Sequence, residues 1–262
     1  MAIEYYLIDA FSNDPFTGCP AVVCPLDKWP SDDLLQKMTN EHNQSETAFY
    51  VPKGGRFELR WFTVSGGEID LCGHATMAAA HVIFEKGYSG SVVEFQTRFS
   101  GDLRVMREDG FLTLDFPAWK VSPVDAPLDA AQALGREGWK GVWAKRDYLF
   151  LFEDEDQIRD IRPDFGRLKN WDRWVCVTAR GKECDFVSRF FCAGEPLEED
   201  PVTGSAHSML TPFWAERLGK EKLLARQLSS RGGELKCESR GDRVWIGGRA
   251  RTYAKGLIHL EF

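Results

Sequence analysis

Glu46, His74, Asp200 and Ser205 are the residues of this chain whose types and settings suit the handling of a proton or an anion. His74 lies in Cys72-Gly73-His74-Ala75-Thr76, and Ser205 in Asp200-Pro201-Val202-Thr203-Gly204-Ser205-Ala206. The two glycines, Gly73 and Gly204, stand half a chain length apart, each just ahead of a run rich in Ala, Met, Phe or Leu. Such a pattern opens a helix that enters a core. The start of a helix carries unpaired N–H groups and partial positive charge, so it holds a carboxylate or a developing enolate. Two such starts in corresponding halves predict a two-lobed chain with one anion-binding cleft between the lobes. Glu46 sits in Asn43-Gln44-Ser45-Glu46-Thr47-Ala48-Phe49, where a polar connection becomes an apolar strand. There it can move a proton if burial and acidic neighbours raise its pKa toward neutrality. His74, beside a positive helix end, is expected to be neutral. Each residue also has a plainer structural reading. Taken alone, Glu46 is more often an exposed strand-end carboxylate and His74 a packed histidine. Asp200 and Ser205 are common capping residues.

Other chemistries lack their patterns. Thr203-Gly204-Ser205-Ala206-His207 is not the G-x-S-x-G elbow of a serine hydrolase. Neither glycine-rich phosphate motif is present, so no nucleotide cofactor is indicated. No H-x-x-x-H or carboxylate pairing marks a metal site, and no metal is expected. Among the seven cysteines there is no C-x-x-C; Cys176, Cys184 and Cys192 fit neighbouring strands better than zinc ligands.

The elements that would position these groups are mainly strands. Ile3–Phe11, Ala21–Cys24, Thr47–Val51, Phe57–Val64, Val92–Gln96, Leu103–Arg107 and Phe111–Phe116 are short, β-branched or aromatic, and separated by turn residues. Asp109-Gly110 predicts a tight hairpin. A helix is predicted from Ser31, its N-cap, to about His42, with Asp32 and Asp33 in the first turn. A second is predicted from about His74 to Lys86, stopping at Gly87. Its apolar residues cover most of the circumference, so a sheet should wrap it. Pro117 to Pro127, with three prolines and no hydrophobic period, reads as an inter-lobe linker. The pattern then recurs: a helix near Leu128–Arg136, strands near Tyr148–Phe152, Trp174–Thr178 and Phe186–Cys192, a helix over Thr203–Leu218, and strands to the end. Glu153-Asp154-Glu155-Asp156 reads as solvated surface. The fold class is α+β with an internal duplication.

Composition excludes several partners. With 43% apolar and 28% charged residues the chain is an ordinary globular one. Its net charge of −7 argues against nucleic acid or an anionic membrane, which reward clustered Lys and Arg. No apolar run is long enough to span a membrane. Met1 to Phe11 reads as a strand rather than a signal peptide, so the thiols are expected to be reduced and the protein cytoplasmic.

Four strings in order carry a resemblance. They are Asp9-Ala10-Phe11 with Phe16-Thr17-Gly18-Cys19-Pro20-Ala21-Val22-Val23; Gln44-Ser45-Glu46-Thr47-Ala48-Phe49; Gly73-His74-Ala75-Thr76; and Glu199-Asp200-Pro201-Val202-Thr203-Gly204-Ser205-Ala206. The chain resembles the PhzF-like isomerases, relatives of diaminopimelate epimerase and proline racemase. The resemblance implies two similar lobes, each a β-barrel-like sheet wrapped around a central helix, with the active site between them. It implies that the last strand returns to the first lobe, giving lobes of 1–118 plus about 252–262, and 124–251. By position, Glu46 matches the family's proton-shuttling glutamate; His74, Asp200, Ser205 and the two glycines Gly73 and Gly204 match the substrate surround. The implied reaction moves a proton between carbons of a small unsaturated or cyclic acid, with no metal or organic cofactor and with a homodimer as the working form. Alternatives within the fold are a non-catalytic binder of a small acid or a protein, and an epimerase using thiols at both helix starts. Cys72 occupies the first thiol position, but Asp200-Pro201-Val202 fills the second, so Cys72 reads as a small buried residue. Cys19 stands where the family usually has Asn.

Overall fold

The computed structural model describes residues 2–64, 66–194 and 197–260. The chain forms two compact units, Met1–Asp115 with Gly247–Phe262, and Phe116–Ile246.

The first unit contains β1 (Ala2–Ala10), β2 (Cys19–Pro25), α1 (Asp32–His42), β3 (Glu46–Lys53), β4 (Arg56–Thr63), β5 (Glu68–Ile69), α2 (Gly73–Glu85), β6 (Val92–Thr97) and β7 (Asp102–Glu108). The chain leaves it within β8 (Phe111–Pro117) and returns for its closing strand, Ala250–His259. From β1 the ladders run antiparallel to β2, parallel to β3, antiparallel to β4, parallel to β6 and antiparallel to β7 and β8. The closing strand pairs antiparallel with the other edge of β1. A parallel step needs a crossover, and α1 and α2 supply the two crossovers here. α1 starts where local chemistry dictates: Ser31 Oγ accepts from the Leu34 N–H, and Asn43 takes the left-handed conformation that ends it. α2 has eleven buried residues and touches β1, β2, β3, β7 and the closing strand. The curled sheet surrounds it, as its all-round apolar surface requires.

The second unit repeats the plan. It contains β9 (Ser122–Pro123), α3 (Ala130–Leu134), β10 (Gly141–Ala144), β11 (Tyr148–Leu151), α4 (Glu155–Asp160), α5 (Phe165–Leu168), β12 (Val175–Arg180), β13 (Phe186–Phe191), a 3-10 turn (Gly204–Ala206), α6 (His207–Leu218), β14 (Lys222–Gln227), β15 (Gly233–Arg240) and β16 (Arg243–Gly248). From β10 the ladders again run antiparallel, parallel, antiparallel, parallel, antiparallel, through β11, β12, β13, β14 and β15. α4 and α5 stand where α1 stands, and α6 where α2 stands. The duplication is therefore one of topology: the same strand signs with helices at the same two crossovers. The last strand of the chain, Ala250–His259, is β17 of this numbering and belongs to the first unit.

Three readings of the sequence need correction. The helix expected from Thr203 begins at His207, because Gly204–Ala206 form a 3-10 turn first. Segment 117–127 does not run free. Ala118 N–H donates to the Asp242 carbonyl, Trp119 N–H to that of Ser208, and Ser122–Pro123 pair with β10. In the acidic run Glu153, Asp154 and Asp156 are exposed as expected, with Asp154 Oδ1 accepting from the Gln157 N–H to cap α4, but Glu155 is buried, accepting from Arg159 and from the Lys182 N–H.

Two local constraints generate predictions. Gly18 holds φ at +76°, and a Cβ there would stand 2.3 Å from the Ala10 carbonyl oxygen, which is backbone and cannot yield. Gly18→Ala is expected to cost at least about 2 kcal/mol of unfolding free energy, read by urea titration. His207, fully buried at the start of α6, has Nδ1 2.9 Å from the Thr203 carbonyl while Nε2 has no partner. The ring is therefore the neutral Nδ1–H form, and burial lowers its pKa from 6.5 to about 4. A depressed folded-state pKa gives stability that is complete above the unfolded value and is lost as pH falls through the folded one. Between about pH 7 and about pH 4 the wild type should therefore lose up to about 3 kcal/mol that His207→Gln does not lose, measured by denaturant titration at each pH.

Candidate active site

β2 and β3 are parallel neighbours, with Val22 opposite Thr47, so their first residues, Cys19 and Glu46, lie at the same end of the sheet. α2 packs on both strands and begins at that end. Topology thus gathers Cys19, Glu46 and His74 from segments far apart in sequence. The turn at Gly18 holds Cys19 opposite Ala10, and Cys72 precedes the helix with an extended backbone. The Thr76 hydroxyl and N–H both donate to the Cys72 carbonyl, fixing the first turn of α2.

His74 Nε2 lies 3.0 Å from Glu46 Oε2, an ion pair in which the histidine is buried and the carboxylate side chain retains 18% of its exposure. Cys72 Sγ is 3.7 Å from His74 Nδ1, and the Cys19 side chain is hydrogen-bonded to the same ring. Burial opposes charge on Glu46, but the charge and hydrogen bond of His74, with a smaller contribution from Ser45, outweigh it and hold the carboxyl below its ordinary value. Burial likewise opposes the imidazolium, and the surrounding Cys19, Cys72 and Glu46 outweigh it, so His74 is held well above its ordinary value. The Cys72 thiol is pushed up, by burial first. These directions correct two expectations. Glu46 is not raised toward neutrality, because its close neighbour is a cation rather than another acid. His74 is not kept neutral by the helix end, because Cys19, Cys72 and the Glu46 carboxylate at 3.0 Å together outweigh half a charge of helix dipole.

The pair offers a carboxylate able to take a proton beside an imidazolium able to give one. Glu46 Oε2 has no hydrogen-bond partner of standard geometry besides this ion pair. The backbone N–H groups at the start of α2 lie in the same neighbourhood and favour negative charge. Although no metal-ligand spacing is visible in the sequence, Glu46, Cys72 and His74 each bring one donor atom within 4.8 Å of the others.

The remaining predicted residues belong to the second unit. Asp200 does not cap a helix; its Oδ2 accepts from the Thr203 hydroxyl at 2.8 Å, and its carbonyl from Gln227 Nε2 at 2.7 Å. The Gln227 side chain also receives the Thr203 N–H. Gly204 is buried and Ser205 half-buried, both on the 3-10 turn rather than on the helix. Sequence reasoning gave Cys19 and Cys72 no part in the cluster. The signal available for Cys19 was the glycine before it, whose positive φ marks a sharp re-entry into β2. A groove of about 550 Å³ in the first unit, lined by Ile3, Leu26, Tyr50, Phe57, Lys86 and Tyr88, includes none of the cluster residues. Among the described residues no helix is long and apolar enough to cross a membrane.

Comparison with known proteins gives the family. The chain is 51% identical, over the full length of both chains, to a protein of Pseudomonas aeruginosa named an uncharacterized isomerase. It is 34% identical, over 98% of this chain and 99% of the other, to a mouse phenazine biosynthesis-like domain-containing protein. A crystal structure of a PhzF-family phenazine biosynthesis protein from Enterococcus faecalis superposes with a TM-score of 0.95 at 42% identity, covering 99% of this chain and 100% of that one. A hydroxyproline epimerase from Agrobacterium vitis, with bound trans-4-hydroxy-L-proline, shares the fold at a TM-score of 0.64 and 12% identity, over 98% of this chain and 91% of its own. The sequence model described as phenazine biosynthesis-like protein matches residues 8–256. With strands and helices that repeat across two units and a buried carboxylate–imidazole pair at the head of the first central helix, this chain belongs to the phenazine biosynthesis-like (PhzC-PhzF) family and is of the isomerase type.

Proposed function

We propose that the chain catalyses a proton shift within a small unsaturated or cyclic acid, with Glu46 as the acid/base and without a metal or organic cofactor. The observation that carries this reading is the 3.0 Å approach of Glu46 Oε2 to His74 Nε2 at the buried start of α2. Glu46 takes a proton from a carbon next to an electron-withdrawing group and returns it to another carbon of the same molecule. No redox change occurs, and one group serves for both transfers. His74, with the N–H groups of the helix start, offsets the negative charge that builds on the substrate during the first transfer. Asp200, Ser205 and the backbone at Gly73 and Gly204 are assigned to holding the substrate, an assignment that rests on their motifs.

A two-thiol epimerase receives no support. Neither Asp200-Pro201-Val202, which the sequence sets at the second thiol position, nor the neighbouring Thr203, which matches Cys72 when Gly73 is matched to Gly204, brings a thiol. Cys72 itself is buried with its pKa pushed up, the reverse of an activated nucleophile.

The test is a screen of small unsaturated, cyclic and amino acids in deuterated water, followed by NMR of both product and label. Internal return of the proton limits solvent incorporation, so appearance of product is the primary readout. On an identified substrate, Glu46→Gln is expected to lower kcat by about a hundredfold to ten-thousandfold with little change in KM. His74→Gln should lower kcat by about tenfold to a thousandfold, since it removes charge stabilisation but leaves the base. Full turnover by Glu46→Gln would refute the assignment.

A further inference from the structure

We propose that Glu46, Cys72 and His74 form a binding site for a thiophilic divalent cation, Zn2+ above all, which occupies the head of α2 in place of two protons released to solvent, one from the Cys72 thiol and one from the His74 imidazolium. The inference goes beyond the isomerase reading and does not depend on it. One carboxylate oxygen, one sulfur and one imidazole nitrogen lie mutually within 4.8 Å, with Nε2–Oε2 at 3.0 Å and Sγ–Nε2 at 3.9 Å. Zinc bonds of ordinary length at tetrahedral angles set ligand atoms about 3.4 Å apart for an N–O edge and about 3.6 Å for an S–N edge. The N–O and S–N edges bracket those values to within a few tenths of an ångström, and the S–O edge lies within 4.8 Å, so side-chain rotation that draws the sulfur and the carboxylate together completes the site.

The donor set selects the metal. A thiolate and an imidazole favour Zn2+ and its relatives over Mg2+ or Ca2+, which take oxygen ligands. The ligands bind as thiolate, neutral imidazole and carboxylate. The framework is rigid: Cys72 and His74 flank a helix start locked by Thr76, and Glu46 opens a strand in the middle of the sheet. Glu46, the most exposed of the three, supplies the route of entry, since the cation meets its carboxylate first. Three protein donors leave a fourth position, to be filled by water or by the Cys19 thiol that adjoins the same ring, and Cys19→Ser, titrated beside Cys72→Ser, tells the two apart. With the cation bound, Glu46 and His74 are held by metal, and neither carries a proton to or from carbon.

The experiment titrates the full chain, kept reduced with a phosphine, with Cd2+ followed by its thiolate charge-transfer absorption in the ultraviolet, and with Zn2+ in competition with a chromophoric chelator. The expected result is one equivalent bound per chain, with the cadmium band lost in Cys72→Ser and kept in Cys184→Ser, a half-buried thiol of the second unit. His74→Gln and Glu46→Gln should weaken Zn2+ by at least about tenfold, as removal of a direct ligand costs no less than removal of its outer partners. Thermal unfolding of each variant without metal checks that it folds. If Cys72→Ser does not fold, the two glutamine variants decide the matter. A cadmium band unchanged in Cys72→Ser, Zn2+ affinity unchanged in both glutamine variants, or no stoichiometric binding at all overturns the proposal. Because binding is read directly, each of these results leaves the proton-shift reading to be judged by its own assay.

Discussion

α2 is apolar nearly all round, and that constrains the first unit more than any other feature. Eleven of its thirteen residues are buried, so the sheet must curl until strands face the helix on several sides. A helix enclosed this way still has to place its first N–H groups somewhere, since they find no partner within the helix. The solution is to bring the head of α2 to the end of the sheet where β2 and β3 begin. Parallel pairing of those two strands puts their first residues there together. The gathering of polar groups is therefore a consequence of burying the helix. Glu46 and His74 meet at that end of the sheet.

Once together, the groups change one another. A buried carboxylate alone would hold its proton, and a buried imidazole alone would lose it. Brought together they reverse these tendencies: His74 holds Glu46 low, and Cys19, Cys72 and Glu46 together hold His74 high. The contrast with His207 is instructive. It too is buried at the head of the central helix of its unit, yet it faces a carbonyl and a phenylalanine ring rather than a carboxylate, and its pKa falls. Burial is common to both histidines; the partner decides the charge.

This distinction explains what could be read from the sequence. α1 was legible because its N-cap, Ser31, and its first-turn acids are local signals. The hairpin between β7 and β8 was legible because Asp109 and Gly110 both take positive φ, as that dipeptide favours. α2 was legible because its composition alone requires burial. The short helices α4 and α5 were not: six and four residues carry too little periodicity, and the acids of α4 look like surface until Arg159 and Lys182 are brought to Glu155. The positions of Glu46 and His74 were legible as motifs. Their charge states were not, because each depends on a residue from another element. Cys19 and Cys72 were passed over for the same reason, as a buried thiol acquires meaning only from what it touches.

The duplication adds a last point. Both units carry the same ladder signs and place a central helix at the same crossover, yet they have diverged at the helix head. Where β3 opens with Glu46, the matching parallel strand of the second unit, β12, opens with Val175. Where α2 opens directly with Gly73 and His74, α6 is preceded by a 3-10 turn that carries Ser205, is entered through Thr203, and is held by the Gln227 amide at the end of β14. Asp200, just before that turn, accepts from the Thr203 hydroxyl. A symmetric pair of bases would suit a reaction that strips a proton from one face of a carbon and supplies another to the opposite face. One charged head and one hydroxyl-rich head suit a different division of labour. In the proposed reaction a single carboxylate would carry the proton away and bring it back, while donors without acid–base strength would hold the substrate. The loss of symmetry between two halves of common design fits that proposal better than it fits a two-base exchange.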